Sequence, residues 1–176
     1  MAIDSTHLAV LRTLRERLDS LPCEWAITGS LGLALRGIDI AVRDVDVRTD
    51  RAGAQGIACA FADSVDRPVT FTSSESIRSH FGSLRLEGIA VEIMGDMRQR
   101  LADGTWEDAD AWRRHVTRVE VAGLLVPVLS LAFEREMYAR LGRTDKVDLI
   151  RRALDSRAAS PFPVDRPAPR IDNPAL

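Results

Sequence analysis

The sequence is poor in cysteine and aromatic residues and has no large excess of either charge. Its two cysteines, Cys23 and Cys59, form no C-x-x-C pair among the 176 residues. A disulfide-rich secreted scaffold is therefore excluded, and two buried, reduced thiols are expected. With 24 basic and 26 acidic residues the formal net charge is −2. The chain thus lacks the basic surplus of general nucleic-acid binders, so nucleic acid is not the favoured partner.

Long apolar runs and the common nucleotide-binding signatures are missing as well. No apolar stretch reaches the roughly 18 residues that suggest a membrane span, and the N-terminal residues show no basic-then-apolar signal pattern. We therefore expect a cytoplasmic protein with no membrane partner. The segment GSLGLALRG lacks the G-x-G-x-x-G spacing of dinucleotide-binding folds, and a Walker A motif is also absent.

The composition that remains is that of an ordinary globular domain. Hydrophobic residues make up 45% of the chain and charged residues 28%, which is sufficient for one sizeable core. We predict a single domain over residues 1–156, with its core at about 20–100 and a C-terminal helical part at about 124–156. Residues 157–176 hold five of the eight prolines and no apolar periodicity, which predicts a mobile tail.

Hydrophobic periodicity predicts helices and strands in mixed order. Helices are predicted at residues 5–20, 30–36, 50–62, 127–141 and 146–156. Strands are predicted at residues 23–28, 41–48, 68–72 and 118–122, with a hairpin at 79–94 that turns at Glu87-Gly88. This order indicates an α+β fold, in which a small mixed sheet is flanked by helices and followed by C-terminal helices.

Gly29 and Ser30 stand where the first predicted strand runs into a helix. A helix N-terminus directs free backbone N–H groups at one point, and a glycine there lets a phosphate approach the backbone closely. Ordinary helix capping explains the same pair, and on its own it is the more frequent reason for Gly-Ser before a helix.

Three acidic residues lie in predicted strands. Asp44 and Asp46 share one strand face, about 7 Å apart, although strands disfavour aspartate and like charges repel. A divalent metal would offset that repulsion; a solvated strand face is the alternative. Glu92 stands in the apolar segment IAVEIMG and would complete a three-carboxylate cluster if its strand lay beside the first. Exposure to solvent is again the alternative.

The combination is more specific than its parts. Gly29-Ser30, thirteen further residues, an Asp44-Val45-Asp46 motif with apolar flanks and a later strand carboxylate resemble the polymerase-beta-like nucleotidyltransferase superfamily. Residues 126–150 resemble the C-terminal helices of its small bacterial members, which are related to antibiotic and toxin nucleotidyltransferases. The resemblance covers about residues 20–155. Glu92 departs from the pattern, because aspartate is the commoner third carboxylate.

The resemblance implies a nucleotidyltransferase fold and a metal-dependent enzyme. Two Mg²⁺ ions, or Mn²⁺, would be held by Asp44, Asp46 and Glu92. The triphosphate of an NTP, with ATP or GTP expected, would lie against Gly29 and Ser30. NMP would pass to a hydroxyl acceptor with release of pyrophosphate.

Two basic residues flank the start of the last predicted helix. Arg143 and Lys146 are placed to reach the triphosphate, whereas surface charge pairs with nearby aspartates are the alternative. Both stay candidates for nucleotide binding.

The acceptor is left open between a small molecule of the aminoglycoside or lincosamide type and a tRNA or protein. Cationic acceptors would suit a cleft lined by the acidic residues Glu75, Glu87, Glu107, Asp108 and Asp110. Because the C-terminal helices are short, one hypothesis is that a homodimer completes the cleft. The rival interpretations are a catalytically silent nucleotide-binding module and an interaction protein of the toxin–antitoxin type.

Overall fold

A seven-stranded mixed sheet forms the centre of the computed structural model, which describes residues 3–158. The strands are β1 (Trp25–Thr28), β2 (Val45–Thr49), β3 (Val65–Ser73), β4 (Ile77–Leu86), β5 (Ile89–Gln99), β6 (Val116–Val121) and β7 (Leu124–Leu129). Their order across the sheet is β3-β4-β5-β2-β1-β7-β6. The pairs β2–β5 and β1–β7 are parallel, and the other neighbours are antiparallel.

Within residues 3–158, five α-helices flank the sheet, so the predicted α+β fold class is confirmed. They are α1 (Ser5–Leu18), α2 (Gly29–Leu35), α3 (Arg51–Ala60), α4 (Leu131–Arg140) and α5 (Thr144–Ala158). Local signals explain several of their starts. The Asp4 side chain accepts hydrogen bonds from the backbone N–H groups of Thr6 and His7 at the start of α1, and Asp50 accepts one from Gly53 in α3.

The two faces of the sheet carry separate apolar clusters. On one face, α1 and α3 cover the alternate strand residues Ile27, Val47 and Ile93, which are fully buried. On the other face, Phe133 and Met137 of α4 form part of the second cluster. Strand side chains alternate between the two faces. The strand neighbours of Ile27, Val47 and Ile93 therefore point toward the α4 side of the sheet. The candidate site lies on that side.

The secondary structure predicted around Pro127 is wrong. A helix beginning there was expected, but residues 124–129 form β7, and α4 starts only after Ser130, whose Oγ accepts a hydrogen bond from Phe133 N. The run LLVPVL is apolar and rich in valine, which suits a strand buried between two neighbours. Proline at a helix start is a common signal, and here the capping serine three residues later outweighs it.

Other boundaries and one burial prediction also need correction. Strand β2 begins at Val45 rather than at residue 41, and β5 continues to Gln99, beyond the predicted end of the hairpin at residue 94. Cys59 is exposed and Cys23 half-buried, so the expectation of two buried thiols is wrong. Of the predicted tail, residues 157 and 158 belong to α5, and the remainder lies outside the described residues.

No helix in the described part of the chain is both long enough and apolar enough to cross a bilayer.

Candidate active site

Asp46 stands at the centre of a row of polar side chains that crosses three strands. Strand β2 lies between β1 and β5, and the register pairs Asp46 with Thr28 on one side and with Glu92 on the other. Asp44 precedes β2 by one residue and raises the pKa of both Asp46 and Glu92 through its charge. The structure therefore brings together all three carboxylates that the sequence singled out.

Gly29 closes over this row from the end of β1. It is the first residue of α2 and adopts a φ of +67°, a conformation that favours glycine. A Cβ built on Gly29 would lie 1.8 Å from Asp46 Oδ2, so any side chain here would collide with the carboxylate. Ser30 follows as the second residue of α2 and is half-buried. The Gly29-Ser30 turn and the carboxylates thus form one site.

The site carries more negative charge than its surroundings neutralise. Burial raises the pKa of Asp46 to about 8, and the charges of Asp44, Glu92 and Glu134 push it in the same direction. Burial and Asp44 also raise the pKa of Glu92, while Arg67 opposes that rise. Carboxylate oxygens crowded in this way suit a hard divalent cation such as Mg²⁺, which would replace protons as the compensating charge.

The carboxylates alone do not make a finished metal cage. Within residues 3–158, no three or more His, Cys, Asp or Glu side chains converge as a preformed metal site. Mg²⁺ is commonly held by one or two carboxylates together with substrate phosphates. Asp44, Asp46 and Glu92 fit that mode of binding, in which nucleotide and metal arrive together.

Glu134 of α4 fastens the Gly29 turn from behind. Its side chain is buried and accepts a 2.5 Å hydrogen bond from Thr28 Oγ1, and the backbone of Gly29 also hydrogen-bonds to it. Burial raises the pKa of Glu134 to about 7, against the lowering effect of these donors. This carboxylate joins α4 to the point where β1 becomes α2.

Replacing Glu134 should test this fastening. We expect Glu134→Ala to lower the free energy of unfolding by about 2 kcal/mol, because it leaves the buried Thr28 hydroxyl and the half-buried Gly29 N–H without their acceptor. Glu134→Gln keeps an acceptor oxygen and should lose less than half as much. Urea unfolding followed by circular dichroism measures both. Glu136→Ala, an exposed position on the same helix, is the matched control, and an equal loss there would contradict the assigned contact.

Arg48 forms the floor of the site beyond Asp46. Its side chain is fully buried and donates to Met97 O at 2.8 Å and to Met137 Sδ at 2.9 Å. Glu107 lies 3.6 Å from the Arg48 guanidinium and forms a 2.6 Å ion pair with Arg140. A buried arginine held by several partners fixes the geometry of the strand that carries Asp46.

A cavity of about 510 Å³ opens between the sheet and α4, next to the carboxylates. Its wall at the carboxylate end contains Thr28, Gly29, Asp46, Glu92 and Glu134. This volume is in the range of pockets that hold small molecules.

The two basic candidates are placed differently. Arg143 lines the cavity and also forms an ion pair with Asp145 at 3.6 Å. Lys146 is half-buried on α5 and is not part of the cavity wall. Within this structure, only Arg143 of the two is in position to meet a ligand.

Sequence reasoning missed Thr28, Arg48 and Glu134. Glu134 had a readable signal, because it lies on the same helical face as Phe133 and Met137, which are buried, so a charge there needs a partner. Arg48 shares the face of Asp44 and Asp46 by strand alternation. Thr28 had no such signal, since threonine is common in strands.

Comparison with known proteins gives one family and several similar folds. A family profile described as aminoglycoside-2''-adenylyltransferase matches residues 10–153. The crystal structure of TM1012 from Thermotoga maritima, a candidate nucleotidyltransferase, is 44% identical, with coverage of 89% of this chain and 97% of that one and a TM-score of 0.77. No curated protein sequence matches.

Two more distant structures share the fold. The lincosamide antibiotic adenylyltransferase LnuA, solved with lincomycin, is 12% identical with a TM-score of 0.56, and the match covers 86% of this chain and 98% of LnuA. ANT(2'')-Ia in complex with adenylyl-2''-tobramycin is 11% identical with a TM-score of 0.56, and the match covers 88% and 92% of the two chains.

Proposed function

The chain belongs to the aminoglycoside-2''-adenylyltransferase family and is a nucleotidyltransferase, and from its site we propose that it moves NMP from an NTP to a hydroxyl acceptor in a Mg²⁺-dependent reaction. The superfamily resemblance found in the sequence is thereby confirmed. The observation that carries the detailed proposal is the row of Asp46 and Glu92 on paired parallel strands, with Asp44 beside it and the Gly29 turn above it.

Two groups of residues are proposed to bind the metal and the phosphates. Asp44, Asp46 and Glu92 would hold Mg²⁺, with two ions expected and Mn²⁺ as a substitute. When bound there, Mg²⁺ would supply the charge that makes the acceptor hydroxyl more acidic and that offsets the charge of the pyrophosphate. At the start of α2, Gly29 donates its N–H group to Glu134 and would let the phosphates approach closely because it has no side chain, while Ser30 would offer them its backbone N–H and its hydroxyl.

The transfer exchanges one phosphorus–oxygen bond for another. The acceptor oxygen bonds to the α-phosphorus of the NTP, the bond from that phosphorus to the bridging oxygen breaks, and pyrophosphate leaves. The hydroxyl proton passes to solvent or to Glu92, whose pKa is raised by burial and by the charge of Asp44, which makes it a stronger base than an ordinary carboxylate. Arg143 is proposed to contact the triphosphate from the cavity wall; a contact from Lys146 stays a prediction from the sequence.

The similar proteins support the choice of donor and acceptor only in general terms. Their names describe adenylyl transfer to lincosamide and aminoglycoside antibiotics, so ATP is the first donor to test and GTP the second. A small hydroxyl-bearing acceptor fits a cavity of about 510 Å³. A cytoplasmic location and a homodimer remain predictions.

Calorimetric titration of ATP and GTP tests the proposal. We expect binding by the wild type in Mg²⁺ that weakens at least about tenfold in EDTA and in Asp44→Ala/Asp46→Ala, because the metal and its ligands bind the phosphates jointly. Asp39→Ala/Asp63→Ala, which changes two exposed aspartates, is the charge-matched control and should bind as the wild type does.

Two outcomes would redirect the interpretation. Failure of the folded wild type to bind either nucleotide overturns the proposed function. Mg²⁺-dependent binding with no pyrophosphate release across a hydroxyl-acceptor panel would favour the silent nucleotide-binding module.

A further inference from the structure

The cavity changes character with distance from the carboxylates. Beyond Asp46 and Glu92, the larger share of its wall is apolar and comes from Ile77, Phe81, Met94, Met97, Met137 and Leu141; the polar remainder includes Thr72, Ser73, Ser74, Ser79 and Gln99. Methionine side chains are flexible and polarizable, and they adapt to irregular apolar ligands. This part of the cavity is built to cover hydrocarbon surface rather than to pair with charge.

A β-bulge in β5 produces that lining. The pairing of β4 with β5 shifts between Arg78 and His80, and Asp96 adopts a φ of +47°. Glu92 and Met94 therefore line the cavity before the bulge, and Met97 and Gln99 line it afterwards. In regular alternation, Asp96 would take the position that Met97 occupies. The bulge thus replaces a carboxylate with a thioether on the cavity wall.

Acidic side chains are lacking from the apolar part. Among the described residues, the carboxylates in the cavity wall are those of Asp46, Glu92 and Glu134, which serve the metal, the phosphates and the Gly29 turn. None of the five acidic residues expected to line a cleft for cationic acceptors is part of the wall. Glu107 is instead buried between arginines, and Asp110 pairs with Arg113 at 2.7 Å.

Positive charge, by contrast, lies near the cavity. Arg143 is part of the wall. Arg67 of β3 lies over the Phe81 ring at 5.0 Å and is close enough to Glu92 to act on its charge. The wall's carboxylates are those that the proposed function assigns to Mg²⁺ and the Gly29 turn, so with nucleotide bound a polycationic molecule would find no further acidic partner along the apolar wall, which disfavours its binding.

From this distribution of charge and apolar surface, we infer that the acceptor is a hydroxyl compound with an apolar body and no cluster of positive charges. The inference rests on the proposed function, because it assigns the carboxylate end to the nucleotide and the apolar part to the acceptor. The acceptor hydroxyl would point toward Asp46 and Glu92, and its apolar body would lie on Phe81, Met94 and Met97.

A homologous series of alkyl glucosides provides the probe. Methyl, butyl and hexyl glucoside are titrated into protein loaded with Mg²⁺ and an ATP analogue that has a methylene bridge between its α and β phosphorus atoms. We expect the affinity to rise about fourfold for each buried methylene group. Tobramycin, as a polycationic probe, should bind at least about tenfold more weakly than hexyl glucoside.

Two phenylalanines of one hairpin supply a matched pair of variants. Phe81→Asp places a charge in the wall and should abolish the dependence on chain length. Phe71→Asp changes a 60% exposed ring outside the wall and should preserve it. If Phe81→Asp does not fold, the nearly isosteric Met94→Gln should still reduce the gain per methylene.

The possible results separate the acceptor inference from the proposed function. Equal binding of the three glucosides, or tobramycin binding as tight as that of hexyl glucoside, overturns the acceptor inference while leaving ATP binding intact. Competition between hexyl glucoside and ATP itself would assign the apolar wall to the nucleobase and also overturn it. Absence of ATP binding would instead overturn the proposed function.

Discussion

Asp46→Asn is expected to lower kcat by at least about 10³-fold while leaving the fold intact. The substitution preserves the shape of the side chain but removes a negative charge that would bind metal at the centre of the site, and the loss corresponds to about 4 kcal/mol of transition-state stabilisation. Pyrophosphate release at saturating ATP and acceptor measures it. Asp39→Asn, at an exposed aspartate, should retain wild-type turnover.

The same variant should unfold less readily than the wild type at alkaline pH. The pKa of Asp46 is about 8 in the folded chain and 3.8 as its ordinary value, so between these values the folded state binds more protons than the unfolded state. Stability is therefore fully present below about pH 4 and is lost as the pH rises toward 8. Asparagine carries no charge to bury and removes this dependence.

Urea unfolding in EDTA at pH 6 and pH 8.5 measures the difference. We expect the wild type to lose about 2 kcal/mol more than Asp46→Asn between these values, because over this range the folded wild type must ionise a desolvated carboxyl that the asparagine variant lacks. Equal pH dependence in both proteins would show that Asp46 is not held in a desolvated carboxylate cluster. Unchanged turnover would remove it from the catalytic site.

Gly29→Ala should reduce kcat/KM at least about 10²-fold through a collision with a second functional residue. The new Cβ would lie 1.8 Å from Asp46 Oδ2, so either the turn or the carboxylate must move. Misplacement of reacting groups by about 1 Å is sufficient for a loss of that size. Steady-state kinetics with ATP, together with the dissociation constant of Mg²⁺–ATP, separates the effect on binding from that on turnover.

Gly37 offers a control that isolates backbone strain. It also has a positive φ, +76°, but a Cβ there would meet nothing within 4 Å. Gly37→Ala should therefore cost about 1 kcal/mol in stability and little in kcat/KM. If both variants lose activity equally, strain at the ends of α2, rather than contact with Asp46, would explain the result.

The acidic cluster could be anticipated because local rules set most of it. Alternation in a strand places Asp44 and Asp46 on one face, and a glutamate within an apolar strand is unusual enough to be noticed. That β5 lies parallel to β2 could not be read from the sequence, since α3 and the β3–β4 hairpin separate the two strands. The superfamily resemblance supplied that neighbour relation.

The features that sequence reasoning missed depend on contacts between distant segments. Glu134 becomes part of the site only because α4 packs across the end of β1, and the hydrogen bond to Thr28 spans 106 residues. The bulge at Asp96 likewise depends on pairing with β4. Residues 127–130 were wrongly predicted as the start of a helix for the same reason. The local pattern after Pro127 is typical of a helix, but the pairing of this segment between β1 and β6 makes residues 127–129 part of a strand.

The long sequence separation within the site also sets an order of events during synthesis. Asp46 leaves the ribosome well before Glu92, and Thr28 can form its hydrogen bond only after Glu134 has been synthesised. Pairings that span so much chain form late in folding, because loop closure must precede the contacts that reward it. A nascent chain that stops before α4 therefore contains all three clustered carboxylates but lacks the glutamate that fastens Gly29 above them. The hydrogen bonds that hold the Gly29 turn can therefore form only after the last third of the polypeptide has begun to emerge.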